Sequence, residues 1–118
     1  MSEARHDASV ALQLAGYGRQ VIDDATLIMT ELTVNALTHG AARQVAIQIG
    51  QATSGNGLVI RTSHHDRVER FGVAEPSVMA LPDERAGRGR AIVAALSDRF
   101  ETTRHSPGRV EHVVVIDA

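Results

Sequence analysis

Apolar residues recur at three- and four-residue steps through Ala4, Ala8, Ala11, Leu12 and Ala15, and the run stops at Gly16-Tyr17-Gly18. This is the helical period, so a first helix is expected over residues 4–15. From Asp23 to His39 a second apolar-rich segment begins with two aspartates, which suit a helix N-terminus, and closes at Gly40, a good left-handed cap. The stretches VAIQI (45–49) and LVIRT (58–62) read as strands, joined by the glycine-rich hairpin loop GQATSGNG. Between Ser63 and Ala86 the pattern fails; two prolines and scattered charges make a loop of about 64–86, a length typical of lids and binding loops. A third helix is expected from about Arg88, with Ala91, Ile92, Ala95 and Leu96 at helical spacing. Residues 99–103 and 110–117 read as strands around a turn containing Pro107 and Gly108. Helices and strands mix without regular alternation, which predicts an α/β (α+β) two-layer sandwich: a mixed, mainly antiparallel sheet with helices on one face, in a single domain of residues 1–118.

Composition narrows the functional classes. With 43% apolar residues among 118, the chain can bury one core. A formal net charge of -2 and few aromatic residues speak against direct nucleic-acid binding, which needs a basic, aromatic-studded face. There is no cysteine, hence no disulfide and no thiolate metal site. No apolar run approaches the ~20 residues of a membrane span, and MSEARHDAS lacks the features of a secretion signal, so a cytoplasmic location is expected.

The second helix holds two polar residues that its pattern does not explain. On a wheel of ~100° per residue, Asp23, Thr26, Thr30 and Thr33 form the expected solvent face, and Ile22, Ala25, Ile28, Met29, Leu32 and Ala36 the opposite arc. Glu31 and Asn35 fall at the border of that arc, one turn apart. A partly buried glutamate costs free energy unless it is paired or bound. Either Glu31 pairs with an arginine while Asn35 caps a loop, or the carboxylate and the amide oxygen converge on a hydrated Mg²⁺ shared with a phosphate ligand.

AGRGRA, residues 86–91, places Gly87 and Gly89 at the expected entry of the third helix, with Arg88 and Arg90 beside them. A helix entry without side chains can accept an anion, although the same residues also make an ordinary tight turn. An acid and an amide for a metal, a long loop, and a glycine-entered helix for phosphates together describe a nucleoside triphosphate site. Neither a P-loop nor a dinucleotide-binding turn is present.

ELTVNALTHG (31–40) resembles the N box, E-x-x-x-N-A-x-x-H-G, and GRGRAIVAAL (87–96) resembles the second glycine box of the GHKL, or histidine-kinase-like, ATPase superfamily. That group includes gyrase-type topoisomerases and sensor histidine kinases. Asp23, Asp24 and Ala25 match the start of the same helix in anti-sigma-factor serine kinases and their actinobacterial relatives. The resemblance extends from Ala4 and Arg5 to GRVEHVVVI. It implies a Bergerat-type ATP-binding fold in which Asn35 coordinates Mg²⁺ on ATP, Glu31 is the general base, and His39 lies near the site. Gly87, Arg88 and Gly89 would contact phosphates, and residues 67–86 would form the ATP lid. The implied partners are an anti-anti-sigma (STAS-type) protein, phosphorylated on serine, and a sigma factor.

Three features depart from that pattern. Where the family places an adenine-binding aspartate just past a central strand, RTSHHDRVERFG puts Ser63 or His64, with Asp66 two or three residues late and no G-x-G after it. Asp66 becomes the acceptor if the strand runs longer; His64 and His65 otherwise read as solvated loop residues. Val110 stands where relatives often carry a threonine, and the strand that relatives place before the first helix is missing, which would leave a sheet edge free to form a homodimer. The expected function is an ATP-dependent serine/threonine-protein kinase acting in partner switching. The alternative is a degenerate nucleotide-binding or non-catalytic protein-sequestering module of the same fold, and the ATP-binding half of a histidine kinase is a third, weaker reading.

Overall fold

The computed structural model describes residues 2–38, 42–52, 55, 57–66, 84–105 and 107–117. The elements run α1 (Ser2–Leu14), α2 (Arg19–Thr38), β1 (Ala46–Gln51), β2 (Leu58–His65), α3 (Glu84–Leu96), β3 (Arg99–His105) and β4 (Arg109–Ile116). The four strands form one sheet in the order β1-β2-β4-β3. Each pairing is antiparallel, so the expected mainly antiparallel sheet is found with no parallel pair among the described residues.

Local chemistry sets the ends. α1 closes in a Schellman arrangement: Gly16, at φ 92°, donates to Gln13 O, and the Tyr17 N–H reaches back to Leu12 O at 3.1 Å. Gly108, at φ 99°, makes the turn between β3 and β4, with its N–H on His105 O. Two elements differ in extent from the sequence expectation. β2 runs through Ser63 to His65, because β4 supplies partners for those residues as far as His65↔Arg109. α3 begins at Glu84 rather than about Arg88, since Glu84, Arg85 and Ala86 are all good helix formers.

Alternation along β2 and β4 turns Leu58, Ile60, Val114 and Ile116 toward the helices. There they pack with Ala8 and Leu12 of α1, Ile22, Ala25, Ile28, Met29 and Leu32 of α2, and Val93 of α3. Ile28, Ile60, Val93 and Val114 have no exposed surface. α2 lies between α1 and α3. One feature of the wheel is corrected: Thr33, placed on the solvent face, is buried beside Met29 and Ala36, its neighbours one turn away. Thr26 and Thr30 are half-buried and return their hydroxyls to Asp23 O and Thr26 O.

Candidate functional site

The N-terminal part of α3 packs on the C-terminal half of α2, and a glycine marks the contact. A Cβ placed on Gly89 would stand 2.7 Å from Glu31 Oε1, 3.2 Å from Asn35 Nδ2 and 3.5 Å from Asn35 Oδ1. Gly89 is buried, and Glu31 and Asn35 are half-buried. Among the described residues neither polar side chain has a hydrogen-bond or ion-pair partner, so the arginine pairing and the loop cap weighed above are not found there. A carboxylate oxygen and an amide oxygen, one helical turn apart and unpaired, are the hard-donor chemistry that Mg²⁺ takes together with waters and phosphate.

The other glycine behaves differently. Gly87 is exposed, and a Cβ on it would meet nothing within 4 Å. Because α3 starts at Glu84, Gly87 and Gly89 lie inside the helix and not at its entry. With Glu84 as the first helical residue, both glycines lie past the N–H groups that a helix start leaves unpaired. Gly89 thus supplies room, and the exposed Arg88 supplies charge. His39, Gly40 and residues 67–83 of the expected lid lie outside the described residues.

A second polar group occupies the helix-facing side of the sheet. His64 of β2 is buried, not a solvated loop residue, and stands in register opposite Val110 of β4. The two departures from the family pattern are therefore cross-strand neighbours. His65 points to the other face and is exposed, and no three-ligand metal cluster occurs among the described residues. His64 Nε2 lies 3.0 Å from Asp66 Oδ1, and Arg104 Nη1 of β3 lies 3.2 Å from Asp66 Oδ2. Asp66 follows β2 directly, and its N–H donates to Gly108 O at 2.8 Å. The carboxylate that the sequence offers as an acceptor is thus held by two partners.

His112 of β4 was not singled out by the sequence. It is buried, shares a 2.9 Å hydrogen bond between Nδ1 and Thr102 Oγ1, and sits 6.0 Å from the His64 ring and 5.8 Å from that of Phe100. Burial, followed by the proximity of His64, Arg90 and Arg104, pushes its pKa down to about 4, so it is neutral at physiological pH. Arg90 of α3 lies over the Phe100 ring at 5.3 Å, next in sequence to Gly89. A continuous row, Gly89, Arg90, Phe100, His112 and His64, therefore leads from the α2–α3 contact to the end of β2. The inward-facing histidine in VEHVVVI was detectable by its period-2 spacing from Val110 and Val114.

At that end of the sheet a cleft of about 1040 Å³ is lined by Arg43, Gln44, Ser63, His64, His65 and Arg109, among others. The volume is in the range of small-molecule sites. His64, one of the residues lining it, has its Nδ1 buried without a hydrogen-bond partner.

Residues 1–116 match the family model described as the histidine kinase-like ATPase domain. Among solved structures, the chain is similar to the histidine kinase domain of a blue-light activated histidine kinase from Erythrobacter litoralis, with 19% identity and a TM-score of 0.52. That likeness, which is one of fold, covers 92% of this chain and 60% of the other. No curated protein matches the chain.

Proposed function

Because the chain belongs to the histidine kinase-like ATPase family, we propose that it binds Mg-ATP where α3 packs on α2, beside Glu31 and Asn35, and acts as an anti-sigma-factor-type serine/threonine-protein kinase. In this reading it phosphorylates a serine of an anti-anti-sigma (STAS-type) partner and, in the alternative state of the switch, holds a sigma factor. The observation that carries it is the placement of Gly89 against Glu31 and Asn35, which leaves two unpaired oxygen donors facing a wall with no side chain.

Each residue then has a task set by its chemistry. The Asn35 amide oxygen would hold the magnesium ion that accompanies the triphosphate, and the metal would neutralise charge developing on the phosphate oxygens. Glu31 would accept the proton of the attacking serine hydroxyl, for which it must come within hydrogen-bond reach. The Arg88 guanidinium would meet phosphate oxygens, supplying charge without competing for the Gly89 space.

One observation favours a second reading, a module of the same fold that sequesters a protein without turning over nucleotide. His64 and Val110, side by side, replace polar groups that the family uses near the base. Thermal unfolding with and without Mg-ATP separates the two. A ligand at 100 times its dissociation constant adds about 2.7 kcal/mol, a rise of about 5 °C or more in a domain of this size. No shift at millimolar Mg-ATP would leave the sequestering module. With a shift present, Glu31→Ala should retain it while losing phosphate transfer to the anti-anti-sigma protein, and Asn35→Ala should lose the magnesium dependence of binding.

A further inference from the structure

The two edges of the sheet are built differently. β3, at one edge, carries Arg99, Glu101, Arg104 and His105, all exposed, and such charges keep an open strand from pairing with another chain. β1, at the other edge, reads AIQIGQ from Ala46 to Gln51, with no charged residue and no proline, so its outward N–H and C=O groups form an unguarded row. Its apolar side chains are also incompletely covered. Ile47 and Ile49, opposite the buried Thr62 and Ile60 of β2, face the helices and touch the core, but both are only half-buried. α1 packs on α2 and leaves a groove of about 620 Å³ between itself and the end of β1. Ala8, Ala11 and Ala15 line it on the helix side, Ile49 and Gly50 on the strand side, so an apolar opening borders the unpaired edge.

β1 is close to symmetric about Gln48. Ile47 and Ile49 flank that residue on the helix-facing side, and the small residues Ala46 and Gly50 lie two places away on the open face, where Gln48 is itself exposed. A two-fold interface presents one patch to itself, so a strand with this symmetry is complementary to its own copy. Antiparallel pairing about Gln48 sets Ile47 against the partner's Ile49 and Ile49 against the partner's Ile47, an apolar quartet beside the grooves. It sets Ala46 against the partner's Gly50 without crowding, and no like charges meet along the strand. We propose that β1 is a dimerisation strand: it pairs antiparallel with β1 of a second copy of this chain, about a two-fold axis at Gln48, and joins the two four-stranded sheets into one with the helices of both copies on the same face. The inference rests on the strand order and the β1 residues and is independent of nucleotide.

The chain has no cysteine, so a single introduced thiol can bridge only to its own copy. At the axis the two residues 48 bring their Cα atoms within about 4.5–5.5 Å, a separation that a disulfide spans. Gln48→Cys should therefore give a disulfide-linked dimer on mild oxidation of the full chain. Ala46→Cys, on the same face of the same strand but about 14 Å from its copy, should not, and neither should Thr103→Cys on the charged edge. In sedimentation equilibrium without nucleotide the unsubstituted chain should run at twice the monomer mass. Gln48→Lys, which sets two like charges face to face, should raise the dissociation constant at least about tenfold, whereas Glu101→Lys on β3 should leave it within about twofold. A chain that stays monomeric up to millimolar concentration overturns the proposal and leaves the edge to a different protein. Cross-linking through Thr103→Cys or Ala46→Cys in place of Gln48→Cys overturns it equally, by assigning another edge or another register. Should Gln48→Lys not fold, the cross-linking of the cysteine variants decides. Failure of the dimer leaves the Mg-ATP reading in place, and failure to bind Mg-ATP leaves the dimer.

Discussion

Glu31 Oε1 lies 2.7 Å from the point where Gly89 would carry a Cβ, so the second and third helices approach each other at the candidate site through an absent side chain. Such a distance is too short for carbon against oxygen, and the nearest atom is the far end of a movable side chain. Gly89→Ala should therefore cost little in folding, since alanine gains about 0.5–1 kcal/mol over glycine within a helix. It should displace the Glu31 carboxylate and crowd Asn35, lowering Mg-ATP affinity at least about tenfold. Gly50→Ala on β1, where a Cβ would also meet nothing within 4 Å, is the control and should leave affinity nearly unchanged. Melting temperatures and Mg-ATP titrations of the two variants check both statements.

The core makes a separate prediction. Ile28 has no exposed surface and packs in the cluster that joins α2 to β2 and β4. Ile28→Ala should destabilise the domain by about 2–5 kcal/mol, the range for deleting a buried aliphatic side chain and leaving a cavity. The urea midpoint should fall accordingly with an unchanged m-value, and nucleotide affinity of the folded fraction should persist.

Acid should act through His112. The folded side chain stays neutral down to about pH 4, whereas an ordinary histidine in the unfolded chain takes up its proton near 6.5. The contribution to stability is therefore full above pH 6.5, falls as the pH drops, and is lost by about pH 4. The change attributable to this residue is on the order of 3 kcal/mol. Urea midpoints between pH 7.5 and 4, compared with those of His112→Phe, should show a shallower acid slope in the variant; parallel slopes would assign the loss to other groups.

The turn at Gly108 carries the last prediction. At φ 99° an L side chain is strained, and the Gly108 carbonyl also receives the Asp66 N–H. Gly108→Ala should cost about 1–2 kcal/mol. The urea midpoint should fall accordingly, and because that carbonyl anchors Asp66, the His64–Asp66 contact should loosen with it.

Much of the frame was readable because it rests on periodicity. The three helices and four strands of the described residues follow the spacing of Ala8 and Leu12, of Ile28, Met29 and Leu32, and of Leu58 and Ile60. The approach of α3 to Glu31 and Asn35 followed from asking what a half-buried acid and amide could serve. What could not be read depends on neighbours distant in sequence. Ser63, His64 and His65 carry no strong strand signal and become strand because β4 pairs with them. Thr33 was assigned to solvent with the other threonines, although it borders the buried Met29 and Ala36; a wheel of α2 alone cannot show how far its neighbours cover that border. His112 gained its significance from Thr102 and His64, residues on two other strands.

The strand order β1-β2-β4-β3 places the groups of this site on separate carriers: Glu31, Asn35 and Gly89 ride on helices, while His64, Asp66 and Arg104 belong to the sheet and its edge. Substitutions in one set leave the backbone of the other untouched, so the two sets can drift independently. A descendant could rework its strand residues alone, with the helix that carries Glu31 and Asn35 kept letter for letter.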